Sequence, residues 1–176
     1  MTLLLRLVAY LEARGVVAAL IGGGALAAHG IARATLDFDL LVVDRAVLTS
    51  QFWTDCGSAN VEVRPGDPDD PLAGVARVTE GSDAVDIIVG KHPWEAQILA
   101  RRVSVTVQQQ SLPTVDRADL VLLKLFAGGP QDLLDVRLLL AADTGNLRSE
   151  VEKRLADLPV ETRRLWEQMC AEPAQG

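Results

Sequence analysis

The chain has 176 residues, nearly half of them hydrophobic, which suits one domain, or one domain with a helical appendage, built on a sizeable core. Aromatic residues make up only 4%, so Leu, Val, Ala and Ile must fill that core. A formal charge of -7 and a pI of about 4.8 argue against broad nucleic-acid binding, which wants a basic face, although a local patch would suffice for it.

Cys56 and Cys170 lie far apart and form no metal-ligand pair, as expected of ordinary thiols in a reducing cytoplasm. At the N-terminus, Arg6, Glu12 and Arg14 interrupt an apolar start, and no hydrophobic segment with a cleavage site follows. The apolar run from Val16 to Ala28 contains three glycines and is too short to span a bilayer, so no membrane is expected. Thr2 to Ala13 reads as an amphipathic helix, capped by Thr2 and stopped by Gly15. Val16 to Ile21 reads as a buried strand, ending in a turn at Gly22, Gly23 and Gly24. A short apolar helix follows from Ala25 to Ile31, then Arg33, Thr35, Asp37 and Asp39, leading into an apolar strand through Val43.

Beyond Val43, Asp44 caps a helix expected to run to about Cys56, with Gly57 ending it. Val61 to Arg64 is a short strand. Pro65 to Pro71 is a loop by composition, the segment with the most freedom to move, and its three aspartates read as solvated rather than cation-binding. Gly74 to Glu80 and Ala84 to Val89 form a hairpin across Gly81-Ser82. Trp94 to Arg101 is a short helix with Pro93 at its first position, and Val103 to Gln108 alternates as a strand. From Asp116 the pattern turns helical: Asp116 to Phe126, Pro130 to Ala142, Leu147 to Leu158 and Val160 to Cys170, followed by a frayed tail. The expected organisation is a core over 1–115, a helical region over 116–170 packed on it, and a tail over 171–176, with no internal repeat.

Chemistry concentrates in Ile21 to Val43. A glycine turn before a helix exposes backbone N–H groups at a positive dipole end, which suits phosphate. Asp37 and Asp39, two apart in an extended run, share one face of a strand. Two such carboxylates repel by roughly 1 kcal/mol in water and about 4 at an effective dielectric of 20, so a divalent cation is the natural partner. A third carboxylate should come from a neighbouring strand, because hard cations want several oxygens. Asp86 is the best candidate, as a lone charge inside an otherwise apolar strand; the competing reading pairs it with Arg77 on the hairpin partner. Asp83, in the turn, is the weaker choice.

Gly22-Gly23, then thirteen residues, then Asp37-Phe38-Asp39, with a later strand aspartate at Asp86, resembles the nucleotidyltransferase superfamily that includes DNA polymerase β. The fuller string from Gly22 to Val42, with Ala118-Asp119-Leu120 through Lys124 and Asp132 to Val136, is similar to the AbiEii/AbiGii-type toxin nucleotidyltransferases. The resemblance covers roughly Val16 to Ala142 as a sparse set of motifs, of which the first is the more specific.

The resemblance implies an α+β fold, a mixed β-sheet flanked by helices with a C-terminal helical region. It implies Mg²⁺ or Mn²⁺ on Asp37, Asp39 and Asp86, an NTP held by Gly22, Gly23, Gly24, Arg33, Thr35 and Lys124, and transfer of nucleoside monophosphate to an acceptor hydroxyl on RNA, protein or a small molecule. A toxin role, with an antitoxin partner, is its furthest implication. The competing readings are a salt bridge from Arg33 to Asp39 and a snorkelling surface role for Lys124. His29 reads as packed rather than catalytic. Two departures stand out. Many superfamily members carry a serine where Gly24 stands, and relatives often carry an arginine and a lysine where this chain has Gly128-Gly129-Pro130-Gln131. The alternative function is therefore a catalytically weak nucleotide- or partner-binding protein that keeps the fold, and beyond it a structural domain whose aspartates bind a cation incidentally.

Overall fold

A computed structural model describes residues 2–32, 37–57, 59–107 and 109–171. The chain divides into two compact units, Met1–Val115 and Asp116–Gly176.

The first unit is built on a seven-stranded mixed sheet. Its strands are β1 (Ala19–Ile21), β2 (Phe38–Val42), β3 (Asn60–Pro65), β4 (Gly74–Glu80), β5 (Asp83–Val89), β6 (Val103–Val107) and β7 (Gln110–Thr114), in the spatial order β3-β4-β5-β2-β1-β7-β6. Three helices belong to this unit: α1 (Leu3–Ala13), α2 (Gly22–Ala28) and α3 (Pro93–Ala100). β2 runs parallel to β5 and antiparallel to β1. Paired residues share a face of a sheet, so the register sorts the side chains. Leu20, Leu40, Val42, Val85, Ile87, Val89, Ala76 and Val78 lie on one face and are all buried. Arg77, Asp86 and Asp39 fall on the other. α1 buries Leu3, Leu4, Leu7 and Leu11 along one stripe, and its cap is Thr2, whose Oγ accepts from Leu5 N.

Most elements match the sequence reading; five differ, one being the helix expected over Leu147 to Leu158, which is α-helical only to Arg154 and closes in a 3₁₀ turn at Leu155–Asp157. The glycines are the first turn of α2 itself, not a turn ahead of a helix from Ala25. β1 is only three residues long. The stretch after Asp44 forms two 3₁₀ turns, Arg45–Leu48 and Ser50–Trp53, in place of one α-helix. There Trp53 donates to Val47 O and stacks on Tyr10, and anchoring the ring in this way favours the tighter winding. β7 was not expected from Gln110-Ser111-Leu112-Pro113-Thr114, a polar run with a proline. It pairs with β6 along its length and with β1 at Leu20 and Thr114.

The second unit comprises α4 (Arg117–Ala127), α5 (Pro130–Ala141), α6 (Leu147–Arg154) and α7 (Val160–Ala171). Asp116 caps α4 by accepting from Asp119 N, and Gly128 ends it in the left-handed region at φ 65°. Two buried ion clusters tie these helices. Arg154 reaches Asp116 and Asp119, and Lys124 reaches Asp132 at 2.7 Å and Asp135 at 2.9 Å. Among the described residues, no helix is long and apolar enough to cross a membrane.

The link from β5 to α3 buries one more carboxylate. Gly90 N donates to Val42 O, and Glu95 Oε2 accepts from His92 N at 2.6 Å. Burial pushes the Glu95 carboxyl above the ordinary glutamate value, against the His92 and Lys91 N–H groups that pull it down. The folded chain therefore holds this proton more tightly than the unfolded chain. The associated stability is present below the unfolded value of about 4.3 and is lost as pH rises through the folded value. Urea unfolding of the parent chain and Glu95→Gln across a pH series should show the difference moving in the variant's favour as pH climbs from about 4; parallel pH profiles would count against this assignment.

Candidate functional site

One row of register organises the site. Arg77 of β4 pairs with Asp86 of β5, and Asp86 pairs with Asp39 of β2, which in turn pairs with Ile21 at the end of β1. Neighbours in such a row sit about 4.8 Å apart between strands, so two carboxylates and a guanidinium project side by side from the same face. Asp37, two residues before Asp39, joins them. The structure thus brings together Asp37, Asp39 and Asp86 at the edge of α2.

The charges are balanced from within. Arg77 forks across two carboxylates: one guanidinium nitrogen lies 2.8 Å from Asp86 Oδ2, the other 3.0 Å from Asp37 Oδ2. The arginine pairing that the sequence offered as the rival role for Asp86 is therefore present, and it extends to Asp37. Those two carboxylates hold the Arg77 guanidinium above its ordinary value, Asp37 through its hydrogen bond first. Arg77 is the member of the site that sequence reasoning had only as a rival explanation. The signal was in the hairpin: four residues back from each side of the Gly81-Ser82 turn pairs Arg77 with Asp86.

Two features fit the site for a cation. Asp86 Oδ1 is fully buried and has no hydrogen-bond partner among the described residues, although its other oxygen is engaged. A buried carboxylate oxygen left open costs free energy unless something else completes it. The second feature is Gly22. Its φ is +61°, and a Cβ there would overlap Asp39 Oδ2. The glycine lets the Asp39 carboxylate lie directly against the start of α2. Among the described residues, no three carboxylate, histidine or cysteine side chains stand as a preformed metal cage.

Gly22 and Gly23 are half-exposed at the head of α2, where the first N–H groups of a helix lack partners inside it. Gly24 is buried, with Phe38 and Leu20 closing on its Cα. His29 caps the other end of α2, its Nε2 2.7 Å from Val115 O. Arg33 and Thr35 lie outside the described residues. Lys124, in the second unit, is buried in its ion pairs with Asp132 and Asp135; its side chain is 11% exposed and that of Asp135 is 0% exposed. Asp135 also accepts from Gln131 Nε2. A cleft of about 400 Å³ is lined by Val8, Glu12, Val16, Arg102, Ser104 and Pro113. None of the three aspartates lines it, so this cleft and the charged row are separate features of the first unit.

Comparison with solved structures places this architecture among nucleotidyltransferase folds. The chain is similar to the antibiotic-resistance factor ANT(2'')-Ia, with 14% identity over 97% of this chain and 96% of that one, at a TM-score of 0.59. It is similar to an antigenic nucleotidyltransferase-like protein of Paracoccidioides brasiliensis, with 17% identity over 94% and 89% of the two chains and a TM-score of 0.51. It is also similar to the lincosamide antibiotic adenylyltransferase LnuA in its lincomycin-bound form, with 15% identity over 80% and 96% and a TM-score of 0.50. No family model matches the sequence, and no curated protein does. The chain thus has the α+β nucleotidyltransferase-like fold.

Two substitutions test this geometry. Gly22→Ala forces a side chain into the left-handed region, at a cost of about 1–2 kcal/mol, and turns the Asp39 carboxylate aside. Urea unfolding of the parent chain and Gly22→Ala should show that loss; equal unfolding free energies would count against the contact. Lys124→Met removes the ammonium that Asp132 and Asp135 share, and should lower unfolding free energy by about 1–3 kcal/mol. A Lys124→Met chain that unfolds like the parent would remove the structural role of that ion cluster.

Proposed function

We propose that the chain is a metal-dependent nucleotidyltransferase, moving nucleoside monophosphate from an NTP to an acceptor hydroxyl. The observation that carries this is the Asp39–Asp86 row beside the head of α2, with one Asp86 oxygen buried and open. Asp37, Asp39 and Asp86 would hold Mg²⁺ or Mn²⁺. That ion supplies charge neutralisation on the polyphosphate and at the attacking oxygen.

The chain's own residues do the rest. Gly22, Gly23 and Gly24 offer backbone N–H groups to the phosphates, with Arg33 and Thr35 assigned to the same polyphosphate. Lys124 carries the nucleotide-binding role that the resemblance gives it only if it leaves Asp132 and Asp135. Asp86 aligns the acceptor hydroxyl and takes its proton as the oxygen attacks the α-phosphorus. The new O–P bond forms in line with the breaking bond to pyrophosphate, which leaves with the bonding pair. The likeness to ANT(2'')-Ia and LnuA favours a small-molecule hydroxyl as acceptor, ahead of RNA or protein. A toxin role and an antitoxin partner rest on the AbiEii/AbiGii resemblance alone.

A second reading has an observation behind it. Lys124 is engaged by Asp132 and Asp135, and Gly128-Gly129-Pro130-Gln131 brings no basic residue, so a binding protein that keeps the fold with weak chemistry is the alternative.

The two readings separate in one experiment. Each α-labelled NTP is incubated with Mg²⁺ or Mn²⁺ and an aminoglycoside, a lincosamide, or total RNA and protein extract, while NTP affinity is titrated by calorimetry. The enzyme reading expects labelled product, abolished in Asp37→Ala together with the metal dependence of NTP binding. Metal-linked binding with no labelled product from any acceptor would select the alternative.

A further inference from the structure

The row contains a cation already, and it belongs to the chain. Arg77 contacts the very carboxylates, Asp37 and Asp86, that the proposed function assigns to a divalent ion. It is held from a neighbouring strand whose register with β5 is fixed on both sides of position 77. Its two bonds go to two different aspartates, so it is a bridge between β4, β5 and the residue leading into β2. A guanidinium matches such a pair through its rigid fork of donors, which a lysine lacks. Asp86 is the more enclosed of the two acceptors, its side chain 22% exposed against 48% for Asp37. Its engaged oxygen faces Arg77, and its open oxygen is the buried one.

We infer that Arg77 is the resident counter-ion of this cluster, keeping Asp37 and Asp86 together in the metal-free chain and competing with the divalent cation for them. Resting on the nucleotidyltransferase reading, this adds a positioning residue that sets cation affinity. In the metal-free state the guanidinium offsets the repulsion among three neighbouring carboxylates. Entry of a divalent ion requires at least the Asp37 and Asp86 bonds to loosen, so part of its binding free energy goes into that exchange. The released guanidinium stays beside the site as a positive group near the polyphosphate. Cation and NTP then bind with positive coupling, each helping to draw Arg77 off the aspartates.

Arg77→Met keeps the length and removes the charge. The full chain is titrated with Mn²⁺ alone, read by the loss of the free-ion paramagnetic resonance signal, and melted with and without Mn²⁺. The inference expects roughly tenfold tighter Mn²⁺ binding in Arg77→Met, a lower metal-free melting temperature, and a larger rise on adding the ion. Arg77→Lys, with its charge kept and its fork lost, should fall between the two and serves in place of Arg77→Met should that chain not fold. Equal or weaker Mn²⁺ binding in the folded variants would overturn the role of Arg77 and leave the nucleotidyltransferase reading standing. No Mn²⁺ binding by the parent and by either variant, up to millimolar ion, would sink both.

Discussion

Like charges packed onto one row of a sheet dictate the design of this site. Asp39 and Asp86 stand on adjacent strands at the same level, with Asp37 two residues away. At an effective dielectric of 20, one such pair at 4 Å repels by about 4 kcal/mol, a large share of a small domain's net stability. The fold tolerates this because the opposite face of the same strands buries Leu40, Val42, Ala76, Val78, Val85, Ile87 and Val89, and because Arg77 is placed one strand over from Asp86. The core face holds the strands in register; the register then holds the charges together.

The arrangement also explains why the glycines stand where they do. Gly22 is needed for its left-handed backbone and because Asp39 lies against its Cα. Gly24 serves packing on the buried face of the sheet, against Leu20 and Phe38. Neighbouring glycines in one helical turn thus serve opposite faces of the sheet, one the charged row and one the core.

Much of this was legible in the sequence because it is local. Asp86 announces itself as a lone carboxylate in an apolar strand, by the cost of burying an unpaired charge, and Asp37 and Asp39 by a spacing that puts both on one strand face. The Gly81-Ser82 hairpin and the Thr2 and Asp116 caps follow from turn and capping chemistry within a few residues. What escaped depends on distant partners. β7 is a strand because β6 and β1 flank it, not because Gln110 to Thr114 prefers one. Lys124 finds Asp132 and Asp135 only when the chain reverses at Gly128 and Gly129, and its helix alone cannot show that. The stretch from Arg45 to Trp53 had a readable cap at Asp44, but the Tyr10, Phe52 and Trp53 ring cluster decides its winding.

The packing at Gly24 reaches into sequence space. A Cβ at this position would stand 2.9 Å from a Phe38 ring carbon and 3.0 Å from a Leu20 methyl, closer than packed side chains come without a shift. A serine at position 24 would therefore need the Phe38 ring and the Leu20 side chain to shift, which couples residue 24 to residue 38, the position between the two aspartates.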